Sequence, residues 1–247
     1  MALSFWAKTS GTWINILTVL IGTGTGLLLH RRLPDRLLKI LTQGIGLLTI
    51  WIGVSMAGSL NQAQAGQLPG AIAGLLSITI GGVLGEWWQL EQKLTAIGDW
   101  LKFKFKGKGK FTEGFVAASL LFCIGPMTLI GSLNNGLTGD NALLTLKATM
   151  DGIAAIALTG SYGIGVGFST LVIMVFQGGV SLAAGLLSSS IADPATNPAI
   201  ALLTGVGGLM ILGIGINLLG IGAIAVASFL PALVVAPLIF WLASWFG

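Results

Sequence analysis

The sequence predicts an all-α polytopic membrane protein, built as a bundle of transmembrane helices. Two features of the composition indicate this class: only 8% of the 247 residues are charged, and 54% are hydrophobic. A soluble domain carries about a quarter charged residues. Glycine is also abundant, at 38 residues, as expected where membrane helices pack closely.

Apolar runs of about 20 residues mark the candidate spans, because a helix of that length crosses the hydrocarbon core. We count eight runs, with seven as the alternative, since the last run contains Pro231 and Pro237. The runs are 12–29, 41–60, 68–86, 111–133, 142–160, 163–187, 199–219 and 221–246. We expect them to form one integral membrane domain over residues 1–247.

Basic residues are concentrated in two connections between these spans. Of the twelve Lys and Arg residues, four lie within 31–39 and six within 93–110. An even number of spans separates the two connections, so both lie on the same side. The positive-inside rule makes that side the cytoplasm, which predicts an N-terminus outside.

Residues 87–105, WWQLEQKLTAIGDWLKFKF, predict an amphipathic helix lying in the cytoplasmic interface. Apolar residues recur there at the three-four spacing of a helix face. They are Trp87, Leu90, Leu94, Ile97 and Leu101.

A basic connection continues this helix to residue 110. Its lysines are expected to contact anionic lipids at the cytoplasmic face of the bilayer. They are Lys102, Lys104, Lys106, Lys108 and Lys110. Nucleic acid is not expected as a partner, because the positive-inside rule already explains the charge.

Parts of the chain resemble one another. Residues 18–61 and 77–134 each run from a Gly-rich span end through an amphipathic segment to Gly-Ser-Leu-Asn, and residues 204–220 resemble 43–58. With eight spans, the third copy crosses in the opposite direction to the first, as in inverted-repeat transporters. The alternative is that Gly-rich apolar stretches resemble each other by composition alone.

The segment GTGTG at residues 22–26 predicts close helix packing. Gly22 and Gly26 form a GxxxG pair, which allows two helices to approach closely. A nucleotide-binding loop is not expected, because no lysine follows these glycines at the required spacing.

Several motifs together resemble a known family. They are GTWINILTVLIGTGTG, LPDRLLKILTQGIGL, FVAASLLFCIGPMTLIGS, FQGG and LPALVVAPL, in this order along the chain. This set is similar to the YqgA-like family of bacterial membrane proteins, catalogued as a domain of unknown function. The resemblance covers nearly the whole chain and implies a multi-pass protein of the bacterial inner membrane, usually grouped with transport proteins. It supplies no substrate and no residue roles.

Ionisable and amide side chains within the spans are candidates to line a path, because such groups are costly in lipid. Asp151 lies near the middle of 142–160, and Lys147, four residues earlier, shares its helix face. The alternative for this pair is a structural ion pair. Six further candidates meet the same criterion: Gln177, Glu113, Asn134, Gln43, Asn15 and Asn217. For Glu113 the alternative is a helix-start carboxylate, and for the amides it is helix–helix bonding.

Gly125 and Pro126 predict a break in the middle of the span 111–133, because proline removes one helix hydrogen bond. Broken helices at membrane depth often contribute to ion or substrate sites. The polar stretch 131–141, which holds Asn134, is interpreted as an outer loop or a re-entrant turn, since it is rich in turn-forming residues.

These features predict a transport protein or channel for a small ion or polar solute, with a homodimer favoured and no cofactor. The alternative is a non-transporting interaction or scaffold protein that acts through its basic interfacial helix. An enzyme is not expected: His30 is the single histidine and Cys123 the single cysteine, too few for a metal centre of these ligands.

Overall fold

The computed structural model of the chain describes residues 3–30, 34–187 and 198–246. These residues form ten α-helices: α1 (Phe5–His30), α2 (Asp35–Ala57), α3 (Gly70–Trp87), α4 (Leu90–Lys104), α5 (Phe111–Cys123), α6 (Pro126–Thr138), α7 (Ala142–Tyr162), α8 (Ser169–Leu187), α9 (Pro198–Leu219) and α10 (Ala232–Phe246). Arg31 and Arg32 of the first basic connection lie outside the described residues. The all-α class predicted from composition is confirmed.

Shorter elements join some of these helices. Three 3-10 helices span Gly58–Asn61, Gly163–Phe168 and Val226–Phe229. A small antiparallel hairpin, β1 (Gln64–Ala65) with β2 (Leu68–Pro69), precedes α3. This hairpin was not predicted: β2 occupies the first two residues of the predicted span 68–86, and the helix begins only at Gly70.

The chain separates into two compact units. The first unit comprises Met1–Ile45 and Thr95–Ala192, and the second comprises Gly46–Leu94 and Asp193–Gly247. Helices α2 and α4 therefore each begin in one unit and end in the other. The expectation of a single membrane domain stays a prediction.

In the first unit, α1 and α7 pack closely and in parallel. A methyl group added at Gly22 would collide with the carbonyl oxygen of Gly152, and one at Gly26 with that of Ile156. Residue numbers increase together, from 22 to 26 in α1 and from 152 to 156 in α7, so the two helices run parallel. The close packing predicted from the GxxxG pair is confirmed.

By length and composition, six helical segments can cross a membrane, and the α5–α6 pair can supply a seventh. The predicted count of eight is higher because it has two spans, 142–160 and 163–187, where the structure has one continuous helical segment, Ala142–Ala184. That run folds back on itself: Asn15 binds both Asp151 in α7 and Gln177 in α8, which would lie about 39 Å apart along one straight helix. The reversal falls in the 3-10 helix Gly163–Phe168.

The predicted break in the fourth apolar run is present. Helix α5 ends at Cys123, Ile124 is extended, and α6 begins at Pro126 after a bend of 61°. Proline is tolerated at this place because the first residues of a helix need no partner for their N–H groups. The two short helices therefore meet end to end inside the first unit.

In the second unit, two of the mutually similar glycine-rich segments pack against each other. A methyl group at Gly53 would lie 2.9 Å from the carbonyl oxygen of Gly208, and one at Gly215 would lie 3.1 Å from that of Gly46. Residue numbers increase along α2 while those of the contacted residues in α9 decrease, so the two segments run antiparallel. This agrees with the predicted opposite direction of the two copies.

Helix α3 presents a face of small residues to α10. Gly81 packs against Ala232, and Gly85 against the backbone of Ser228 just before α10. A core of buried small and aliphatic side chains lies beside this contact and includes Ala73, Val206 and Ala236. Pro231 precedes α10 and Pro237 lies within it. The first five residues of the last predicted run, 221–225, are not helical.

The interfacial helix differs from its prediction. Trp87 belongs to α3, and Gln89 adopts a left-handed conformation (φ 54°) that separates α3 from α4. Leu101 is buried and Leu94 half-buried, but Ile97 is exposed. An exposed apolar side chain such as Ile97 is available to lipid, so the apolar face expected at the membrane interface stays a prediction.

Two sides of α4 are apolar. On the buried side, Gly98 lies against Thr112 and Phe115 of α5. On the other side, Trp100 and Phe103 are exposed, Phe103 at 86%. The spacing of apolar residues along the sequence does not separate these two sides, because apolar residues on both sides belong to the same short helix.

Two boundaries also differ from expectation. Helix α1 begins at Phe5, seven residues before the predicted start, because the Ser4 hydroxyl accepts a hydrogen bond from the Ala7 N–H at 3.2 Å, as an N-cap residue does. Helix α6 continues to Thr138 and ends at Gly139 in the left-handed conformation. The expected loop at 131–141 is thus helical for most of its length.

The glycine contact between α1 and α7 leads to a stability prediction. Gly22→Ala is expected to destabilise the protein by about 1–3 kcal/mol, because the added methyl group overpacks a closed helix contact. Thermal unfolding of the detergent-solubilised protein measures the change. Gly24→Ala is the matched control, since nothing lies within 4 Å of a methyl group there. Equal melting temperatures for the two variants would contradict the packing described.

Candidate functional site

Three helices of the first unit bring four polar side chains together. The Asn15 Nδ2 on α1 donates to Asp151 Oδ2 on α7 and to Gln177 Oε1 on α8, each at 3.0 Å. Lys147 forms an ion pair with the same Asp151 oxygen. Asn15 and Gln177 are fully buried, and the two charged side chains are 8% and 10% exposed. We call these four residues the central network.

The orientation of the Asn15 amide follows from its neighbours. Asp151 Oδ2 and Gln177 Oε1 are both acceptors, so the atom that faces them must be the Asn15 nitrogen. The Asn15 oxygen then points away, and it has no hydrogen-bond partner. Gln177 completes its own amide by donating to the Thr12 hydroxyl at 3.3 Å. Thr12 was not a candidate from the sequence.

The broken helix lies next to the central network. Cys123, the last residue of α5, is buried and lies within electrostatic range of both Lys147 and Asp151. A methyl group added at Gly125 would meet nothing within 4 Å, so there is open space beside the break. The carboxyl end of α5 and the amino end of α6 are oppositely polarised, and the two ends meet at this break.

Further buried polar atoms of the first unit have no hydrogen-bond partner. Besides the Asn15 oxygen, they are the hydroxyls of Thr23, Ser119, Ser132, Thr159 and Ser181. Each of these side chains is at least nine-tenths buried. Buried polar groups in proteins are normally paired with protein or ordered water, so a cluster of unpaired ones points to water or a ligand inside this unit.

These atoms lie at several levels along the helices of the first unit. Thr23 lies about 12 Å from Asn15 at 1.5 Å per residue, close to Gly167 at the turn before α8. Thr159 contacts Gly26 at that end, and Ser119 lies one turn before Cys123. Ser181 lies one turn beyond Gln177, on the other side of the network. We call this set of residues the polar track; from Thr23 to Ser181 it covers roughly 18 Å measured along the helix axes.

Four of the predicted candidates lie away from the network. Glu113 is exposed near the start of α5, and Gln43 and Asn134 are half-buried in α2 and α6. Asn217 belongs to the second unit, where its side chain bonds both the N–H and the carbonyl of Ile224 at 2.8 Å. It closes the turn after α9, a structural role that differs from the helix–helix bonding given as the alternative for the amides.

The sequence missed Asn135, which is fully buried beside the candidate Asn134. Its side chain accepts from the Gly11 N–H and donates to the Ala7 carbonyl, both at 3.0 Å. It therefore pairs with a donor and an acceptor one turn apart in α1. No local signal distinguishes Asn135 from Asn134, because the partners lie in a distant helix.

The second unit holds two carboxylates near the start of α10. Glu91 Oε2 accepts from the Ala227 N–H at 2.7 Å, and Glu86 Oε2 accepts from the Ser228 hydroxyl at 3.2 Å. Glu86 also lines a mostly apolar cavity of about 520 Å³ between α3 and residues 224–229. Burial raises the pKa of Glu91 above its usual 4.5; the bond from Ala227 opposes this and the charge of Glu86 adds to it.

Comparison with known proteins identifies the relatives of this chain. Residues 10–241 match the family described as "Protein of unknown function (DUF554)". The chain belongs to this DUF554 family. This confirms the family resemblance drawn from the sequence motifs.

Two DUF554-type relatives span almost the same length. The "Uncharacterized membrane protein YdfK" of Bacillus subtilis (strain 168) is 30% identical over 96% of this chain and 98% of its own length. The "Uncharacterized protein YqgA" of Escherichia coli (strain K12) is also 30% identical, over 96% of this chain and 99% of its own. No solved structure matches significantly. The chain is thus a multi-pass membrane protein of the DUF554 family.

The raised pKa of Glu91 predicts a pH-dependent stability for this DUF554 protein. The folded carboxyl holds its proton more tightly than the unfolded one, so the contribution of Glu91 to stability is fully present below pH 4.5 and is lost as the pH rises through the raised pKa. Glu91→Gln removes the charge and keeps an oxygen for the Ala227 N–H. It should raise the melting temperature at neutral pH, by a small amount because Glu91 is only half-buried.

Melting curves of wild type and Glu91→Gln across this pH range test the prediction. The difference should shrink toward zero in acid, where the wild-type carboxyl is also neutral. Glu113→Gln, at an exposed carboxylate, is the control and should follow the wild type. A Glu91→Gln variant that melts below the wild type at neutral pH would show that the charge stabilises the fold.

Proposed function

We propose that this protein is a membrane transport protein or channel for a small ion or polar solute, with its path along the polar track of the first unit. The observation that carries the proposal is the set of buried, unpaired polar atoms on the helices of the unit that holds the Asp151–Lys147 pair. An apolar bundle has no structural use for such atoms, because each unpaired buried polar group costs about 1–3 kcal/mol. Polar atoms arranged along the bundle suit the passage of a hydrated or polar species.

Two further features support this function. The α5–α6 break places two helix ends and open space beside the network, as discontinuous helices do in many transporters. Nearly all of the described chain is helix and short connection, which leaves the helix interior as the natural location of a site. The proposal accordingly assigns no catalytic reaction and no cofactor to the chain.

The proposal includes a location and an assembly state. We place the protein in the bacterial inner membrane with its N-terminus outside, because ten of the twelve basic residues lie in two connections on one predicted side. We favour a homodimer, since Gly24 in α1 and Gly44 in α2 have open space around them and outward glycines permit close approach of a second bundle.

Flux measurements test the transport function. Proteoliposomes with potential- and pH-sensitive dyes are assayed over monovalent cations, halides and small amino acids. Asp151→Asn should reduce the flux of the transported species about tenfold or more, which corresponds to a barrier increase of about 1.4 kcal/mol. The reason is that it removes the one carboxylate of the central network while keeping its size.

Glu113→Gln is the matched control for this experiment, since it removes an exposed carboxylate of the same unit. Its flux should equal that of the wild type. Folded wild-type protein that carries nothing in the panel, or an Asp151→Asn variant with full flux, would contradict the proposal.

A second candidate function is that of a non-transporting interaction protein acting through α4. One observation favours it: Trp100 and Phe103 are exposed on the side of α4 that also carries Lys104, whose ammonium lies 4.7 Å from the Trp100 ring centroid. Exposed aromatic and basic residues together suit an interface rich in anionic lipid. The four lysines from Lys104 to Lys110 are exposed, and Lys102 is half-buried.

Lipid retention tests this candidate. Replacing the five lysines at 102–110 with glutamine should lower the amount of phosphatidylglycerol that copurifies, since each lysine contributes about 1 kcal/mol near an anionic surface. Native mass spectrometry measures the retained lipid, with phosphatidylcholine as the comparison. Unchanged phosphatidylglycerol retention would show that these lysines do not bind anionic lipid. Loss of flux in the same variant would show that they contribute to transport.

A further inference from the structure

The central network offers two oxygen atoms that no protein group engages. Asn15 Oδ1 is fully buried and has no partner. The hydrogen bonds that reach Asp151 from the described residues both end on Oδ2, which leaves Oδ1 without one among them. Each of the two side chains joined by the 3.0 Å bond between Asn15 Nδ2 and Asp151 Oδ2 therefore has an oxygen that accepts no hydrogen bond from the described residues.

The chemistry of these oxygens selects a hard cation. Carboxylate and amide oxygens are ligands for alkali and alkaline-earth ions, whereas soft metals prefer sulfur and imidazole. No group of three or more His, Cys, Asp and Glu side chains lies together in the described part of the chain. A divalent ion usually requires several carboxylates, so a single carboxylate favours a monovalent ion.

The charge of Lys147 sets a condition for binding. Asp151 and Lys147 neutralise each other, so an added cation would leave a net positive charge in a buried site, which is strongly unfavourable. The cation can therefore bind only when the ammonium leaves Asp151. Lys147 lies about 8 Å from the start of α7, and its flexible stem allows the ammonium to reach the interface.

We infer that Asn15 and Asp151 hold a monovalent alkali cation that exchanges with the Lys147 ammonium. The inference rests on the proposed transport function and names its substrate class. In one state the Lys147 ammonium is paired with the Asp151 carboxylate, as in the structure. In the other, the cation takes its place and the ammonium moves outward, so the network is never left with two buried positive charges.

The Lys147→Met variant tests the exchange by stability. Methionine keeps an unbranched apolar stem but removes the competing charge, which leaves Asp151 buried without its partner. A cation that binds only the folded protein raises the melting temperature with its concentration. The melting temperature of this variant in detergent should therefore rise steeply with NaCl or KCl, compared with choline chloride at the same ionic strength. Its apparent affinity for the cation should exceed that of the wild type at least tenfold.

Two further variants identify the ligands. The double variant Lys147→Met with Asp151→Asn carries no buried charge and should melt at the same temperature in sodium, potassium and choline. Adding Asn15→Leu to Lys147→Met should weaken the cation effect at least tenfold, whereas adding Gln43→Leu, an amide outside the network, should not. A Lys147→Met protein that melts alike in all three salts, or a double variant that keeps the cation effect, overturns the inference.

Flux in proteoliposomes separates this inference from the function on which it rests. If the wild type carries a halide or an amino acid while Lys147→Met shows no cation effect, transport stands and the cation site is wrong. If the cation effect is present but no panel member crosses, the site is a structural cation site and the transport function is wrong. Sodium or potassium flux together with the cation effect supports both.

Discussion

Gly22 and Gly26 remove the side chains that would hold α1 away from α7, and the backbone carbonyls at 152 and 156 occupy the space instead. This contact fixes the register of the two helices, which in turn places Asn15 opposite Asp151. Since α8 folds back along α1, Gln177 reaches the same amide. The close approach of two backbones thus determines which polar side chains meet in the first unit.

Polar groups in this unit are satisfied unevenly. The Asn135 side chain accepts from the Gly11 N–H and donates to the Ala7 carbonyl and the Ser10 hydroxyl, so both its oxygen and its nitrogen are paired. Such a fully paired amide stabilises one packing of α6 against α1. Asn15, roughly one to two turns along α1 from the partners of Asn135, leaves its oxygen unpaired. A fully paired amide and an incompletely paired one thus lie on neighbouring turns of the same unit.

Sequence reasoning succeeded where the determining interactions are local. The i,i+4 spacing of Lys147 and Asp151 predicted their shared face, and the break at Gly125–Pro126 follows from the chemistry of proline. These features need only a few neighbouring residues. The GxxxG packing of Gly22 and Gly26 also follows from a short motif.

The remainder depends on contacts between distant segments. The stretch 131–138 has turn-forming composition but is helical, and Asn135 within it binds residues near the start of the chain. The two apolar sides of α4 could not be separated, because one of them faces α5 and the other faces outward. Which amides join the network, and which, like Asn217, close a turn, is likewise decided by the tertiary fold.

The division of α2 between the two units has a consequence for biosynthesis. Residues from Gly46 onward pack on α9, which the ribosome makes only after all of the first unit's residues, up to Ala192, have been made. At roughly 5–20 residues per second, the later half of α2 waits on the order of ten seconds for its partner. Throughout that interval its glycine face is without α9, so the nascent second unit depends on the insertion machinery or on lipid to cover it.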